Sequence, residues 1–306
     1  MTAIAYLGPQ GTFTEAALGG MTTAGLVPGR PEVQPLALDS TPAALEAVRA
    51  GTAEYACVPI ENSIEGSVLP TMDALAAGSA LQIFAEYTLD VAFSIVVAPG
   101  TAAADVRTVA AFPVAAAQVR RWLRDNLPQA EVIPAISNAA AAADVRSGAA
   151  DAGVSTALAA QRYELASLAD GVVDEANART RFVLVGRPAP PPTRTGADRT
   201  SVVLKLDNVP GALVSALTEF SMRDIDLTRI ESRPTRVELG TYVFFLDCVG
   251  HIEDSAVAEA LTALHRRCED VRYLGSWPTG SAVGAAPPQL DDAERWLSRL
   301  QKGEPA

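Results

Sequence analysis

The first 200 residues of this sequence contain neither histidine nor lysine. The two histidines, His251 and His265, and the two lysines, Lys205 and Lys302, all lie later in the 306-residue chain. A Ser-His triad, a histidine metal site, a Schiff-base lysine and a P-loop lysine are therefore excluded from that part. Chemistry in the first 200 residues must rely on hydroxyls, carboxylates, amides and arginine.

Cysteine and net positive charge are also lacking. The three cysteines are far apart in the sequence and form no CxxC motif, so neither a zinc site nor a disulfide framework is predicted. The net charge of −12 argues against nucleic acid as a partner, because phosphate binding requires a basic surface. No basic segment followed by an apolar stretch opens the sequence, and its most apolar run is too short to span a bilayer. We therefore expect a cytoplasmic protein with no membrane partner.

The sequence has the length and the composition of a chain with more than one domain. It is 49% hydrophobic, and a proline-rich segment without apolar periodicity, residues 187–199, is typical of an interdomain linker. We predict a first domain over residues 2–186, a second domain over 200–276 and a peripheral tail over 277–306.

Short apolar runs alternate with alanine-rich helical patterns in the first domain. This alternation predicts an α/β domain with largely parallel sheets. Two long strands follow each other within residues 81–98, which suggests that the chain crosses there into a second lobe and leaves a cleft between the lobes. The predicted first lobe comprises about residues 2–78 and 175–186, and the second comprises about 79–174. After the linker the order of elements is βαββαβ, which is the ferredoxin-like α+β arrangement.

Two segments follow predicted strands in the first domain and carry polar side chains. In "GPQGTF", Thr12 and Glu15 fit a capping box in which the Thr12 hydroxyl accepts from the Glu15 N–H, and the turn is either an anion site or an ordinary helix cap. In "PIENSIEGSV", Glu61, Asn62 and Ser63 follow a buried strand. Such positions bind ligand in open α/β sheets, but an Asx-type turn satisfying its own backbone is an equal alternative.

The segment "NARTRF" places two arginines around Thr180 where a strand begins. Alternation along a strand sends Arg179 and Arg181 to one face and Thr180 and Phe182 to the other. Only one of these faces can line a cleft, unless a twist or a bulge intervenes. In the second domain, Pro210 is predicted near the first position of a helix, and "ESRP" ends a strand with charges that suit either a zwitterionic ligand or ordinary solvation.

Together these segments resemble prephenate dehydratase fused to an ACT regulatory domain, over roughly residues 2–276. The resemblance implies a two-lobed catalytic domain like type-II periplasmic binding proteins. It also implies conversion of prephenate to phenylpyruvate, water and carbon dioxide in phenylalanine biosynthesis. Feedback inhibition by L-phenylalanine bound to the ACT domain is expected, in a homodimer or homotetramer.

The resemblance also implies a set of site residues. Thr180 matches the family's catalytic threonine, Arg181 is our candidate for binding a substrate carboxylate, and Glu61 or a water is expected to reprotonate Thr180. The other expected substrate-binding residues are Phe182, Asn62, Ser63, Gly11, Thr12, Phe13 and Ser137. The expected L-phenylalanine-binding residues are Asn208, Val209, Pro210, Gly211, Ala212, Leu213, Val214, Glu231, Ser232, Arg233 and Pro234.

The sequence departs from the family pattern at two places. Phe112 and Val114 stand where histidine and glutamine are common, so the role of that histidine is not carried over. Asn138 follows Ser137 where the family commonly has a Ser-Thr pair.

The residue inventory fits the expected chemistry. Prephenate becomes aromatic when it loses a carboxylate and a ring hydroxyl, so the reaction requires positioning and assistance to the leaving oxygen but no cofactor or metal. Two alternatives remain open. Arogenate dehydratase performs the same elimination on the amino-acid analogue, and a two-lobed solute-binding or sensor protein shares the cleft without catalysis.

Overall fold

The computed structural model describes residues 1–30, 32–175, 177–281, 283–288 and 291–304. The chain forms two compact units, each of which contains two separate stretches of sequence. The first unit comprises Met1–Thr71 and Tyr87–Leu184, and the second comprises Met72–Glu86 and Val185–Ala306. In the described part of the chain, no helix is long and apolar enough to cross a membrane.

The elements up to residue 186 alternate as the sequence predicts. Those of the first half are β1 (Thr2–Leu7), α1 (Phe13–Thr23), β2 (Val33–Leu38), α2 (Thr41–Arg49), β3 (Tyr55–Asn62), β4 (Gly66–Ser67), α3 (Leu69–Ala76) and β5 (Gln82–Asp90). Those that follow are β6 (Phe93–Val97), β7 (Thr108–Ala111), α4 (Pro113–Gln118), α5 (Arg120–Asn126), β8 (Glu131–Pro134), α6 (Asn138–Ser147), β9 (Ala152–Ser155), α7 (Ala157–Arg162), β10 (Ala166–Val172) and β11 (Arg179–Gly186).

Hydroxyl side chains determine where four of these helices begin. Thr12, Ser40, Ser137 and Thr156 each precede a helix, and each accepts a hydrogen bond from the backbone N–H three residues later. Such a cap satisfies one of the N–H groups that a helix leaves unpaired at its start. All four helices follow a strand: α1 follows β1, α2 follows β2, α6 follows β8 and α7 follows β9.

The strands form two sheets, one for each lobe. The first has the order β2-β1-β3-β11-β5, with β1 parallel to both neighbours and β4 paired with β3. The second has the order β10-β6-β9-β7-β8, in which β7 is parallel to β8 and β9 while β6 is antiparallel to β9 and β10. Strand β5 belongs to the first sheet because it lies beside β11. The crossing to the second lobe therefore follows Asp90, about ten residues later than the expected start of that lobe at residue 79.

Helix α6 lies very close to the second sheet. Gly153 on β9 allows this approach, because a Cβ atom at that position would lie 2.7 Å from the carbonyl oxygen of Ala141. The Ser155 hydroxyl donates to the main-chain oxygen of Asn138 at 2.5 Å. The first residue of α6 is thus fixed against the carboxyl end of β9.

The second unit contains a four-stranded antiparallel sheet with two helices. Its elements are β12 (Asp198–Lys205), α8 (Ala212–Ser221), β13 (Leu227–Pro234), β14 (Tyr242–Val249), α9 (Ser255–Arg267) and β15 (Asp270–Pro278), followed by α10 (Asp291–Gln301). The strand order is β13-β14-β12-β15, and apolar residues of both helices share a core with the sheet. The predicted fold class is confirmed: a two-lobed α/β domain of the type-II periplasmic-binding-protein kind precedes a ferredoxin-like α+β domain. Strand β12 begins at Asp198, inside the segment 187–199 predicted as a linker.

Buried ion pairs hold residues 72–86 in the second unit. Arg199 lies 3.1 Å from the Glu86 carboxylate. The indole N–H of Trp277 donates to the same glutamate at 3.0 Å. Arg229 donates to both carboxylate oxygens of Asp247 at 2.9 Å and also lies 3.1 Å from the Met72 sulfur. Because buried charges require partners, these contacts join the segment to the sheet of its unit.

Candidate active site

A cavity of about 820 Å³ lies in the first unit and is lined by residues from both lobes. Its walls follow the ends of strands β1, β2, β7 and β8, which is the usual ligand position in open α/β sheets. Three phenylalanines, Phe13, Phe112 and Phe182, contribute apolar surface. Among the described lining residues Asp39 is the one charged residue, so no arginine lines the cavity there.

The turn between β1 and α1 forms part of this wall. Thr12 accepts from the Glu15 N–H at 3.4 Å and donates to the Leu7 carbonyl at 3.1 Å, so the predicted Thr12–Glu15 cap is confirmed. The Glu15 carboxylate accepts from the Gly11 N–H. The cap therefore uses the Thr12 hydroxyl and the Gly11 N–H, which supports an ordinary helix cap over an anion site at that N–H.

Gly11 connects the two lobes and is not one of the described lining residues. Its carbonyl accepts from the Thr156 hydroxyl at 2.6 Å, and a Cβ at this position would lie 3.0 Å from the Ala159 Cβ. The φ angle of +89° also favours glycine. Unlike Thr12 and Phe13, Gly11 lies where it supports the turn and does not face the cavity.

Asn62 forms an Asx-type turn and also holds Thr180. Its Oδ1 accepts from the N–H groups of Ile64 at 2.8 Å and Glu65 at 3.0 Å. This fixes the orientation of the amide, so Nδ2 donates to the Thr180 hydroxyl oxygen at 2.9 Å. With its oxygen already accepting, the buried Thr180 hydroxyl has its own hydrogen available for another acceptor. The Asx-type turn is therefore present, and contact of Asn62 with a ligand stays a prediction.

Ser63 interacts with the backbone in front of β11. Its hydroxyl donates to the Asn177 carbonyl at 2.9 Å and accepts from the Arg179 N–H at 2.9 Å. The structure thus places Ser63 where it positions the strand that carries Thr180, which differs from the expected contact with substrate.

The two faces of β11 have different environments, as strand alternation predicts. Phe182 lines the cavity, and Thr180 lies two residues earlier on the same face. Arg181 lies on the opposite face, is 7% exposed, and donates to one carboxylate oxygen of Glu61 from Nη2 at 2.8 Å and from Nε at 3.1 Å. Arg179 is exposed and donates to Asp90 at 2.8 Å.

These contacts change the expected roles of Arg181 and Glu61. Their side chains bind each other and are absent from the described lining of the cavity, because an odd-numbered residue of β11 cannot share a face with Thr180. The expectation that Arg181 holds a substrate carboxylate and that Glu61 exchanges a proton with Thr180 does not match this arrangement. The pair instead stabilises the end of β3 against β11.

Neither a nucleophilic thiol nor a metal centre is found in the described part of the chain. Burial raises the pKa of the Cys57 thiol well above its ordinary value, so this cysteine stays a neutral thiol. No cluster of three histidine, cysteine, aspartate or glutamate side chains among the described residues could hold a metal ion.

Comparison with known proteins identifies the family. Residues 4–190 match the family model for prephenate dehydratase, and residues 200–266 match that for the ACT domain. The chain belongs to the prephenate dehydratase family. It is 74% identical over 309 residues to the prephenate dehydratase of Mycobacterium sp. (strain JLS), covering 100% of this chain and 98% of that protein.

Two solved structures are similar over nearly the whole enzyme. A prephenate dehydratase from Arthrobacter aurescens in complex with L-Phe is 40% identical, with a TM-score of 0.88 over 98% of this chain and 99% of that chain. GqqA, described as a quorum quenching acylase, is 30% identical, with a TM-score of 0.79 over 90% of this chain and 97% of that chain. The fold is thus shared with a protein of another stated activity.

The ACT domain of this prephenate dehydratase family member has a smaller cavity of about 130 Å³. Four expected residues line it: Asn208, Val209, Ala212 and Leu213. Six lining residues were missed by the sequence analysis: Leu206, Asp207, Gly240, Thr241, Tyr242 and Phe244. Strand pairing brings some of these residues to the cavity, because Phe244 of β14 pairs with Leu204 of β12, the strand that ends directly before the lining residues 206–209.

The remaining expected residues of the ACT site are placed differently. Helix α8 begins at Ala212 after the cap residue Gly211, whose φ is +82°. Pro210 was predicted near the first helical position and lies two residues before it. Val214 is 68% exposed. Glu231, Ser232, Arg233 and Pro234 lie on the edge strand β13 and not in the described cavity lining, and the Arg233 guanidinium donates to both oxygens of Asp73 at 2.8 and 3.1 Å.

Proposed function

We propose that the enzyme converts prephenate to phenylpyruvate, water and carbon dioxide on the route to L-phenylalanine, and that it works in the cytoplasm. The arrangement that carries this proposal is the Thr180 hydroxyl, which Asn62 orients on the strand face that also presents Phe182 to the cavity. Family membership and the similarity to prephenate dehydratases over the full chain support it.

In the proposed step the C–C bond to the ring carboxylate breaks and its electron pair enters the ring. The C–O bond to the ring hydroxyl breaks at the same time, and this hydroxyl takes up one proton and leaves as water. Thr180 donates a hydrogen bond to the departing oxygen. The Asn62 N–H group stabilises negative charge that develops on Thr180 Oγ1 as the proton shifts, and water restores the proton.

The apolar walls support the same reaction. An aromatic ring forms from a non-aromatic one, and Phe13, Phe112 and Phe182 provide faces and edges against which a flat ring packs well. Phe13 is itself held by an edge-to-face contact with Phe93, at 5.4 Å between ring centroids. A cavity of this kind favours the planar product-like transition state over the puckered substrate.

Thr180 variants test the proposal. Thr180→Ala should lose most turnover of prephenate, and Thr180→Ser should retain a substantial part, because serine keeps the donor. Phenylpyruvate release is measured by ultraviolet absorbance. Wild-type enzyme that releases none would contradict the proposed activity, and near-normal turnover by Thr180→Ala would contradict only the role of Thr180.

Arogenate remains the closest alternative substrate, since it differs from prephenate only at the keto or amino carbon. Turnover of the two compounds by the same preparation decides between them. The acylase activity stated for GqqA has no comparable support here, because the first 200 residues contain no histidine to activate a serine nucleophile.

We further propose that L-phenylalanine binds at the ACT cavity, lowers turnover, and does so in a homodimer or homotetramer. The A. aurescens relative was solved with L-Phe, and two residues that line the cavity here, Val209 and Tyr242, have exposed side chains. Ala212→Leu, which fills the cavity, should abolish inhibition by L-phenylalanine. Inhibition that persists unchanged would contradict the assignment, and light scattering with and without L-phenylalanine measures the assembly.

A further inference from the structure

The side-chain amide of Asn138 makes no hydrogen bond within the described part of the chain. Asn138 is the first residue of α6 and lines the large cavity. Its Oδ1 atom is buried without a partner. Its Nδ2 atom is not one of the buried unpartnered atoms and donates to no described residue, so the donors of this cavity-lining amide are unused.

The position of this amide is fixed by its main chain. The Ser137 hydroxyl caps α6 by accepting from the Ala140 N–H at 3.0 Å, and the Asn138 carbonyl accepts from Ser155 at 2.5 Å. Gly153 allows the helix to rest directly on the sheet. A side chain on so rigid a base is presented to the cavity at a constant position, as substrate-binding groups require.

The orientation of the amide determines what it can bind. Since Oδ1 is the buried end, the end that remains accessible is Nδ2, a donor of two N–H groups. Other polar groups of the wall are already engaged, because Thr12 bonds to Leu7 and Glu15, and Gln10 accepts from Arg162. Asn138 therefore offers donors that the protein itself does not use.

The substrate of the proposed function needs such donors. Prephenate carries two carboxylates, yet no arginine is among the described lining residues, and Arg181 binds Glu61. We infer that Asn138 Nδ2 donates a hydrogen bond to a carboxylate of the substrate and so determines substrate affinity from the second lobe. This inference rests on the proposed function for the identity of the carboxylate ligand.

Three substitutions test the inference through KM and kcat for prephenate. Asn138→Asp replaces the donor by a negatively charged oxygen of the same size, so KM should rise by about 100-fold, while Asn138→Leu removes the donor and should raise KM about tenfold. Asn138→Thr keeps a hydroxyl donor and should fall between Asn138→Leu and wild type. The matched control Asn126→Asp adds the same charge on the exposed end of α5 and should leave KM unchanged.

Product inhibition identifies which carboxylate is bound. Phenylpyruvate keeps the side-chain carboxylate and lacks the ring carboxylate. If the inhibition constant of phenylpyruvate rises in parallel with KM in Asn138→Leu, the side-chain carboxylate is bound. If it stays constant while KM rises, the ring carboxylate is bound, and kcat should then not fall, because this charge disperses as carbon dioxide forms.

An Asn138→Asp enzyme with the KM of wild type would overturn the inference, because the carbonyl end of Asn138 would then face the substrate. An Asn138→Leu enzyme with an unchanged KM would overturn it as well, because no donor to the substrate would have been lost. Thermal unfolding confirms that the variants are folded, and Asn138→Thr provides the test should Asn138→Leu fail to fold. A wild-type enzyme that is inactive on prephenate would instead contradict the proposed function. The phenylpyruvate assay of the wild-type enzyme detects that outcome before any variant is measured.

Discussion

Replacing Asn62 by aspartate changes one group of the amide that holds Thr180. The oxygen that accepts from the Ile64 and Glu65 N–H groups, at 2.8 and 3.0 Å, is kept, so the turn should survive. The donor that lies 2.9 Å from the Thr180 oxygen becomes an acceptor. Thr180 must then turn its hydrogen toward the new carboxylate and away from the leaving hydroxyl of the substrate.

The size of the effect follows from these contacts. Loss of one donor to a developing oxyanion typically costs about 10²–10³ in kcat, which is about 3–4 kcal/mol of transition-state stabilisation. Stability should change by less than about 1 kcal/mol, because both loop hydrogen bonds remain. Asn62→Ala should behave differently: it leaves two loop N–H groups without their acceptor and costs about 1–2 kcal/mol of stability, but it leaves the Thr180 hydrogen available.

The two variants should therefore rank in opposite orders. Asn62→Asp is expected to be the less active enzyme and the more stable protein, and Asn62→Ala the reverse. Steady-state kinetics with prephenate and denaturant unfolding of the same preparations measure both rankings. The reasoning about Thr180 is refuted if Asn62→Asp turns over prephenate faster than Asn62→Ala.

Three further substitutions probe other parts of the structure. Gly11→Ala should destabilise the first unit by about 1–3 kcal/mol and lower turnover, because of its positive φ and the 3.0 Å approach to Ala159; an unchanged thermal midpoint would contradict this. Asp247→Asn should cost about 3–5 kcal/mol, since it removes the buried carboxylate that binds Arg229, and urea unfolding measures the loss. Backbone N–H bonds from Arg107 and Thr108 hold the pKa of Asp151 below its ordinary value of 3.8. Asp151→Asn should therefore be less stable than wild type at pH 7, and the gap should close as the pH falls below about 4.

Local sequence patterns predicted a large part of the fold. The alternation of apolar runs and alanine-rich segments predicted most strands and helices up to β11, and the T-x-x-E spacing predicted the cap formed by Thr12. These features depend on residues a few positions apart, which share one helix turn or one strand face. The crossing after Asp90 lies within residues 81–98, where the sequence predicts it. The start of the second lobe was placed too early, at about residue 79, because it depends on which sheet accepts β5, a contact between distant parts of the chain.

The candidate site was predictable in composition but not in the roles of its charged residues. Thr12, Phe13, Ser137 and Phe182 line the cavity, and Thr180 lies on the strand face that presents Phe182 to it. Their roles with substrate stay predictions. The Arg181–Glu61 pair was missed because it joins two strands that are 120 residues apart in sequence.

Other parts of the sites gave a weaker signal or none. Asn138 could have been found from sequence, since it stands where the family commonly has threonine, but its burial and its unused amide are visible only in three dimensions. The segment 240–244, which ends in the first residues of β14, gave no signal at all, because the pairing of β14 with β12 brings it to the ACT cavity.

The membership of residues 72–86 in the second unit has a consequence for protein engineering. Transplanting a foreign regulatory module by exchanging only the chain after β11 would leave Glu86 and Asp73 facing residues that did not evolve with them. A functional chimera would need to carry this internal stretch from the donor as well. Changes in the ACT domain are therefore constrained by residues 72–86, which precede it by more than 100 positions and lie within the sequence of the catalytic domain.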